Sequence, residues 1–361
     1  MNDINVDLFG EQESLFSDEV LDELSLIIKK YPDDDIIEDA FNYFRKTGFP
    51  YPDLTLFEMK QEINRLANTV KESCLRSTVA YKVADSFHKH RFHSSAIGMR
   101  NPLQSYNIDK SLRKAIKMEL KGSGIKRNQI AFLNMVNGTQ ACANFRPAYA
   151  KMMYDEHARK DAIVFDSSTG YGGRLVGFLG SDCHTYIGVD PNTLTHEANQ
   201  KLFETLRCEG KECTLINEPA EDVNVDEHDI RSVADFCFTS PPYFKKEIYS
   251  DEETQSCNRY EDYEVWIKNF LYPMMQLNCD VAIGGGIVAI NIEDVKIKGT
   301  LYSLVKPTID AGIKAGLTFM KKEEFGLQSR TILKDGQKFV SEAFESVLFF
   351  EKIESEWEIP F

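Results

Sequence analysis

The chain has 361 residues, of which 42% are hydrophobic and 27% charged. That length suits one large α/β domain with a smaller companion. No apolar run approaches the roughly 20 residues of a membrane span. The eight cysteines contain no Cys-x-x-Cys pair, which argues for reduced thiols and against a disulfide framework or a zinc site.

The net charge is −15, which on its face disfavours a nucleic-acid partner. Residues 1–60, however, carry 15 acidic and 5 basic side chains, so most of the excess lies at the start. Residues 1–16 are polar and acidic, and predict a flexible tail. Their opening, Met1-Asn2-Asp3-Ile4-Asn5-Val6-Asp7, has no basic n-region, so the expected location is the cytoplasm.

Residues 17–130 predict a mainly helical N-terminal region with an accessory or target-recognition role. Val20, Leu21, Leu24, Ile27 and Ile28, then Ile36, Ile37, Ala40, Phe41 and Phe44, recur at helical spacing. Ser17-Asp18-Glu19 offers an N-cap, and Tyr31-Pro32-Asp33 breaks the run. Gly48-Phe49-Pro50-Tyr51-Pro52 reads as a turn, and Leu54 to about Ala84 as helix again. His88, His90 and His93 lie beside Lys89 and Arg91, with Asp85 the one nearby carboxylate, so no metal is expected there. Lys110, Arg113, Lys114, Lys117, Lys121, Lys126 and Arg127 form a locally basic stretch opposed only by Glu119. Such a stretch suits phosphate contacts.

Residues 131–361 predict the catalytic domain. A helix is expected over about Ala148–Arg159. Short apolar strands then alternate with helices. The strands are Ala162–Phe165, Thr185–Val189, Cys213–Ile216, Ala234–Phe238 and Gly286–Ile292. The helices are Gly173–Leu179, Leu194–Cys208, Tyr263–Leu277 and Leu301–Ala315. This alternation predicts an α/β fold with a mostly parallel, doubly wound, Rossmann-like sheet. Leu317–Lys321 and Phe344–Lys352 read as two further strands with a long loop between them.

Three segments carry chemistry. Val164-Phe165-Asp166-Ser167-Ser168-Thr169-Gly170-Tyr171-Gly172-Gly173 is a strand ending in an acid, followed by a Gly-x-Gly turn that opens a helix. Such turns let backbone approach a ligand beyond the carboxyl ends of the strands. Tyr186-Ile187-Gly188-Val189-Asp190-Pro191-Asn192 is a second strand ending in an acid, about 20 residues on, where a carboxylate meets ribose hydroxyls. No third glycine completes a dinucleotide fingerprint, which favours a single adenosyl ligand. Asp235-Phe236-Cys237-Phe238 is a third strand, and Thr239-Ser240-Pro241-Pro242-Tyr243-Phe244 follows directly. Two prolines fix φ and remove two N–H donors, while their carbonyls still accept. The loop thus offers a hydroxyl, carbonyl oxygens and an aromatic face. Ser240 Oγ and the loop carbonyls suit the two hydrogens of an exocyclic amine, and Tyr243 or Phe244 suits stacking on a base.

Together these segments resemble the motifs of the amino-methylating DNA methyltransferases, the N4-cytosine and N6-adenine enzymes. The likeness spans roughly residues 131–352. Its order, cofactor segments before catalytic loop with no large insertion, resembles the family's gamma arrangement. The resemblance implies a Rossmann-like domain using S-adenosyl-L-methionine, with DNA as partner and a base turned out of the helix. Asn144-Phe145-Arg146-Pro147 resembles the cofactor motif that precedes the glycine turn. The implied cofactor residues are Phe145, Asp166, Thr169, Gly170, Gly172, Asp190, Asn192, Glu221 and Thr239. The implied catalytic residues are Ser240, Pro241, Pro242 and Tyr243. Glu221 is chosen from Asn217-Glu218-Pro219-Ala220-Glu221-Asp222, which offers three carboxylates. Ser167-Ser168 stands where the family usually has Pro-Phe. Ser240 in first place favours cytosine N4 over adenine N6. The mechanism implied is direct transfer without a covalent enzyme intermediate, so Cys237 and Cys257 are read as core and loop residues, not nucleophiles. RNA or protein-amide methylation, or a silent nucleic-acid- or clamp-binding relic of the fold, remain the alternatives. Gln12-Glu13-Ser14-Leu15-Phe16 resembles the short peptide by which bacterial proteins dock on the replication sliding clamp, in a bacterial or phage-infected cell.

Overall fold

The computed structural model describes residues 34–75, 77–121, 138–334 and 337–354, with side chains for all of these but 121 and 326–345. The acidic tail, the clamp-type peptide Gln12–Phe16, the first expected helix, and Lys126 and Arg127 lie outside the described residues. The chain divides into two compact units. One comprises residues up to Asp53 with Lys89–Cys142; the other comprises Leu54–His88 with Ala143–Phe361. A single boundary near 130 was expected. Leu54–His88 instead belongs with the sheet, because Met59, Ile63, Leu66, Val83 and Ala84 are buried in its core.

In the first unit, helix Asp34–Thr47 packs on helix Asp109–Lys121. Ile37, Ala40, Phe41 and Phe44 meet Leu112, Ala115, Ile116 and Leu120, each set at i, i+3, i+4 spacing. Arg113 lies over the Phe41 ring at 3.6 Å and bonds Glu38 through Nε at 2.5 Å.

The second unit is built on a seven-stranded sheet. Its strands are β1 (Ile163–Asp166), β2 (Thr185–Val189), β3 (Glu212–Ile216), β4 (Ala234–Thr239), β5 (Ala282–Asn291), β6 (Leu317–Lys334) and β7 (Gln337–Lys352). They lie in the order β6-β7-β5-β4-β1-β2-β3. β1 to β5 pair in parallel, and β7 joins β5 antiparallel. This is the doubly wound, Rossmann-like α/β arrangement, closed at one edge by a hairpin. The longer helices are α1 (Leu56–Ala67), α2 (Tyr81–Phe87), α3 (Pro147–His157), α4 (Gly173–Leu179), α5 (Thr193–Leu206), α6 (Tyr272–Val281) and α7 (Val305–Lys314). Alternation along β4 sorts its two faces. Phe236 and Phe238 pack against Tyr154 of α3, while the Cys237 thiol lies 3.6 Å from the Asn278 carbonyl of α6.

Local chemistry sets several boundaries. Thr55 and Glu58 form a capping box that starts α1. The expected helix Tyr263–Leu277 is divided, because Pro273 has no N–H to offer the turn before it. A π-turn over Ile267–Leu271 absorbs the mismatch, with Tyr272 N–H reaching the Ile267 carbonyl. The Lys211 ammonium closes the end of α4 through the carbonyls of Phe178 at 3.2 Å, Ser181 at 2.7 Å and Cys183. The expected long loop between the last two strands is absent. Pairing runs unbroken in direction from Leu317↔Lys352 to Lys334↔Gln337. Only Val347–Glu351 also pairs with β5, so only that stretch needed the apolar run that sequence patterning detects.

Candidate active site

β1 and β4 are neighbours, with Phe165 opposite Cys237. The glycine turn and the Ser240 loop therefore leave adjacent strand ends, about 4.8 Å apart across the ladder. This crevice is where open α/β sheets bind ligands.

The turn after β1 is tightly laced. Thr169 donates from both its N–H (2.9 Å) and its hydroxyl (3.2 Å) to the Val189 carbonyl. Gly170 N–H donates to Asp190 at 2.8 Å, and the Asn199 amide donates to the Gly170 carbonyl at 2.9 Å. Gly172 has φ +75°, and a Cβ there would lie 2.7 Å from Asn199 Oδ1 and 2.9 Å from His88 Cε1. A Cβ on Gly173 would lie 2.1 Å from the Phe145 carbonyl oxygen. That contact seats the Asn144-Phe145 segment on the turn. The Asn144 amide donates to the Tyr171 carbonyl at 2.9 Å and lies 3.4 Å from buried Asp85 of α2. The Phe145 ring stacks on Tyr149 at 5.4 Å.

Asp166 occupies a different place from the one expected of a cofactor ligand. It is fully buried. Its Oδ2 accepts from Arg174 Nε and from the Tyr186 hydroxyl, both at 2.7 Å, and its Oδ1 accepts from Ser168 N–H at 3.1 Å. It braces the turn from beneath. Asn192 is likewise engaged, capping α5 through Thr195 N–H at 2.9 Å. Asp190 is the partly accessible acid of the crevice. Burial raises its pKa to about 6, against the N–H groups of Asn192 and Gly170, which favour its charged form. Glu221 is also pushed up by burial, and Arg259 holds it at 2.9 Å while reaching Asp222 at 2.7 Å.

The catalytic-type loop is equally constrained. Thr239 is buried, and its hydroxyl has no hydrogen-bond partner among the described residues. Pro241 is buried, whereas Ser240, Pro242 and Tyr243 are partly accessible. Asn291, at the end of β5, donates to Tyr243 Oη at 2.9 Å and to Ser240 Oγ at 3.3 Å. Lys246 Nζ lies 4.9 Å from the centre of the Tyr243 ring. Phe244 does not share the stacking position suggested for it. It takes φ +52° and turns into an aromatic cluster with Tyr302 at 5.2 Å and Tyr263 and Trp266 at 5.7 Å.

The segment that follows folds back across the strand ends. Tyr249 contacts Tyr171 at 6.1 Å, Glu252 accepts from Thr193 N–H at 3.3 Å, and Thr254 donates to the Pro191 carbonyl at 3.4 Å. Gln255, Ser256 and Cys257 are buried. The Asn258 amide bonds the Glu252 carbonyl at 2.8 Å. Residues 255–260 form a strap anchored by Arg259. In the basic stretch, Arg113 is bonded to Glu38 and Lys117 lies 3.9 Å from Asp34, so acids of the neighbouring helix offset part of its charge. Among the described residues no group of three or more His, Cys, Asp or Glu converges as a metal site.

Asn291, Asp85 and Asn199 are not assigned to the site from the sequence. Asn291 alone had a readable signal, a lone amide closing the apolar run Ile287-Val288-Ala289-Ile290.

No family model matches the chain, and no curated protein matches it. Solved structures with a similar chain path include a SAM-dependent methyltransferase from Methanosarcina mazei, at 10% identity over 55% of this chain and 96% of that one, TM-score 0.36. A TehB-like SAM-dependent methyltransferase from Corynebacterium glutamicum matches at 13% identity over 70% of this chain and 100% of that one, TM-score 0.37. TrmN from Thermus thermophilus matches at 12% identity over 57% of this chain and 49% of that one, TM-score 0.37. Likeness at this level says nothing of substrate.

Proposed function

We propose that this protein is an S-adenosylmethionine-dependent methyltransferase acting on an exocyclic amine of a DNA base, cytosine N4 in preference to adenine N6. The observation that carries the reading is the adjacency of the Gly170–Gly172 turn on β1 and the Ser240–Tyr243 loop on β4, with Asp190 on the far side of the turn.

The crevice fits an adenosyl group. Gly170 takes φ +57°, and the nearest atom to a Cβ there is the Ser168 carbonyl oxygen at 3.7 Å, so the turn has an unencumbered edge. Asp190 is the accessible carboxylate for ribose hydroxyls, and Glu221 the buried carboxylate for an adenine amine. Adenosylmethionine supplies an electrophilic methyl group when bound. Ser240 and the carbonyl oxygens of the loop hold the base by its amine edge, and the carbonyl oxygens stabilise positive charge growing on nitrogen. The rigid prolines keep those oxygens in place without reorganisation, and the Tyr243 ring provides a stacking face. Adenosylmethionine held there would supply its methyl group to the amine nitrogen, and the surplus amine proton would leave to solvent. Cys237 is buried with its thiol pKa raised by burial, so no side-chain nucleophile is called for.

Titration calorimetry with adenosylmethionine tests the cofactor half of the reading. Ser240→Ala should leave that binding intact while lowering methyl transfer to DNA by roughly tenfold or more. Full transfer by Ser240→Ala removes the catalytic assignment; absence of adenosylmethionine binding removes the reading as a whole.

A further inference from the structure

Asn291 closes β5 beside the loop and is buried. Its hydrogen bonds fix directions that the loop sequence leaves open. The Tyr243 hydroxyl donates to the Asn291 main-chain carbonyl at 3.2 Å. The Asn291 amide nitrogen donates to Tyr243 Oη at 2.9 Å. The same nitrogen then donates to Ser240 Oγ at 3.3 Å. An amide NH₂ has two hydrogens, and each is directed to one loop hydroxyl. Ser240 has thereby accepted a bond, and its own proton remains to be given.

A base amine never stands alone on its edge. Cytosine N4 and adenine N6 each sit beside an unprotonated ring nitrogen that accepts. The edge therefore asks for an acceptor and a donor side by side. The carbonyl oxygens of the Ser240–Pro242 loop accept only. Ser240, polarised by Asn291, is the donor.

We infer that Asn291 is a positioning residue that makes the Ser240 hydroxyl a hydrogen-bond donor to the ring nitrogen beside the target amine, leaving the loop carbonyls to take the amine hydrogens. This rests on the base-amine reading above and sharpens it. It also assigns a basis for rejecting thymine and uracil. Those bases carry N–H at that ring position, so a donor would meet a donor.

The test is to reverse the bond with little change of shape. In Asn291→Asp, a carboxylate replaces the amide and takes the Ser240 proton for itself. Transfer of tritiated methyl groups from adenosylmethionine to duplex and heat-denatured genomic DNA is measured, followed by nucleoside analysis. Asn291→Asp is expected to lower kcat/KM by roughly 10- to 100-fold. Calorimetric affinity for adenosylmethionine should change by no more than about twofold, since Asn291 holds the Ser240–Tyr243 loop. In a Ser240→Ala background the same change should have less than about a threefold effect, because the proton it captures is gone. An equal loss in both backgrounds, or no loss in the parent, overturns the inference. A second measurement needs no change at Asn291. Oligonucleotides with 3-deazacytosine or 1-deazaadenine, which carry C–H in place of the ring nitrogen, should be poor acceptors for the unchanged protein. They should be no poorer, relative to ordinary bases, for Ser240→Ala; equal use of deaza and ordinary bases by the unchanged protein overturns the inference. If the unchanged protein forms neither N4-methylcytosine nor N6-methyladenine, the base-amine reading fails and takes this inference with it. Product formation with an insensitive Asn291→Asp defeats the inference alone.

Discussion

Asp166 and Arg174 form a fully enclosed ion pair, Nε to Oδ2 at 2.7 Å, directly beneath the glycine turn. Tyr186 donates to the same carboxylate oxygen from the neighbouring strand. The pair ties the end of β1 to the first turn of α4, so the turn above it has little freedom. Removing one partner of such a pair strands a buried charge. Asp166→Ala is therefore expected to destabilise the second unit by about 3–5 kcal/mol. Thermal unfolding of the purified protein checks this: a fall in Tm of roughly 10 °C is expected, and an unchanged Tm would show the pair to be dispensable.

Gly172 lies at the other side of that turn. Its positive φ and the 2.7 Å approach of Asn199 Oδ1 leave no room for a Cβ. Gly172→Ala is expected to destabilise by about 1–3 kcal/mol through backbone strain. It should also weaken adenosylmethionine binding by roughly tenfold or more, as Asn199 and the Gly170 carbonyl it holds are displaced. Calorimetry at a temperature where the variant is folded separates the two effects.

Asp190 gives a pH signature with two signs. Its folded pKa of about 6 is raised above the ordinary 3.8, by burial first. Asp166 nearby raises it further, while Arg174 and the two N–H groups oppose the rise. Between those values the folded protein holds a proton that the unfolded chain has released, so this group makes stability fall as pH rises from about 4 to about 6. Ligand binding runs the opposite way. An ionised Asp190 accepts from ribose hydroxyls, so adenosylmethionine affinity should weaken as pH drops through about 6. Asp190→Asn should bind more weakly at pH 7.5 and lose that pH dependence; a dependence that persists in the variant points to another group.

Arg259 anchors the strap that crosses the strand ends, and the Glu221 carboxylate beneath it is nearly enclosed. Arg259→Met leaves that acid buried without its cation. Adenosylmethionine Kd is expected to rise by roughly three- to tenfold, with faster proteolytic cleavage within residues 247–260. Unchanged Kd and cleavage would mean that the strap holds without its latch.

Much of the sheet was legible because each parallel strand is a short apolar run with a turn signal at its end. Thr185–Val189 and Gly173–Leu179 matched residue for residue. The hairpin is legible only over Leu317–Lys321 and Phe344–Lys352, since the sequence between them has no continuous apolar run to mark a strand. The site was legible as motifs but not as roles. Asp166 stands where a ligand-binding acid is expected, yet its partner Arg174 comes into reach only once the turn has folded, and Tyr186 arrives from another strand. Asn192 reads as a crevice residue but serves a helix cap. Phe244 reads as a stacking ring, and only its left-handed backbone sends it into the Trp266 cluster. Asn291 lies 51 residues from Ser240, and parallel strand order alone brings them together.

Methyl transfer to a base amine is the activity proposed for the Ser240 loop. Its most direct measurement is mass analysis of nucleosides from duplex DNA, single-stranded DNA and RNA incubated with the protein and isotopically labelled adenosylmethionine. Labelled N4-methylcytosine in DNA is expected, lost or greatly reduced with Ser240→Ala. Label confined to RNA or to protein, or no label in any acceptor, would contradict it.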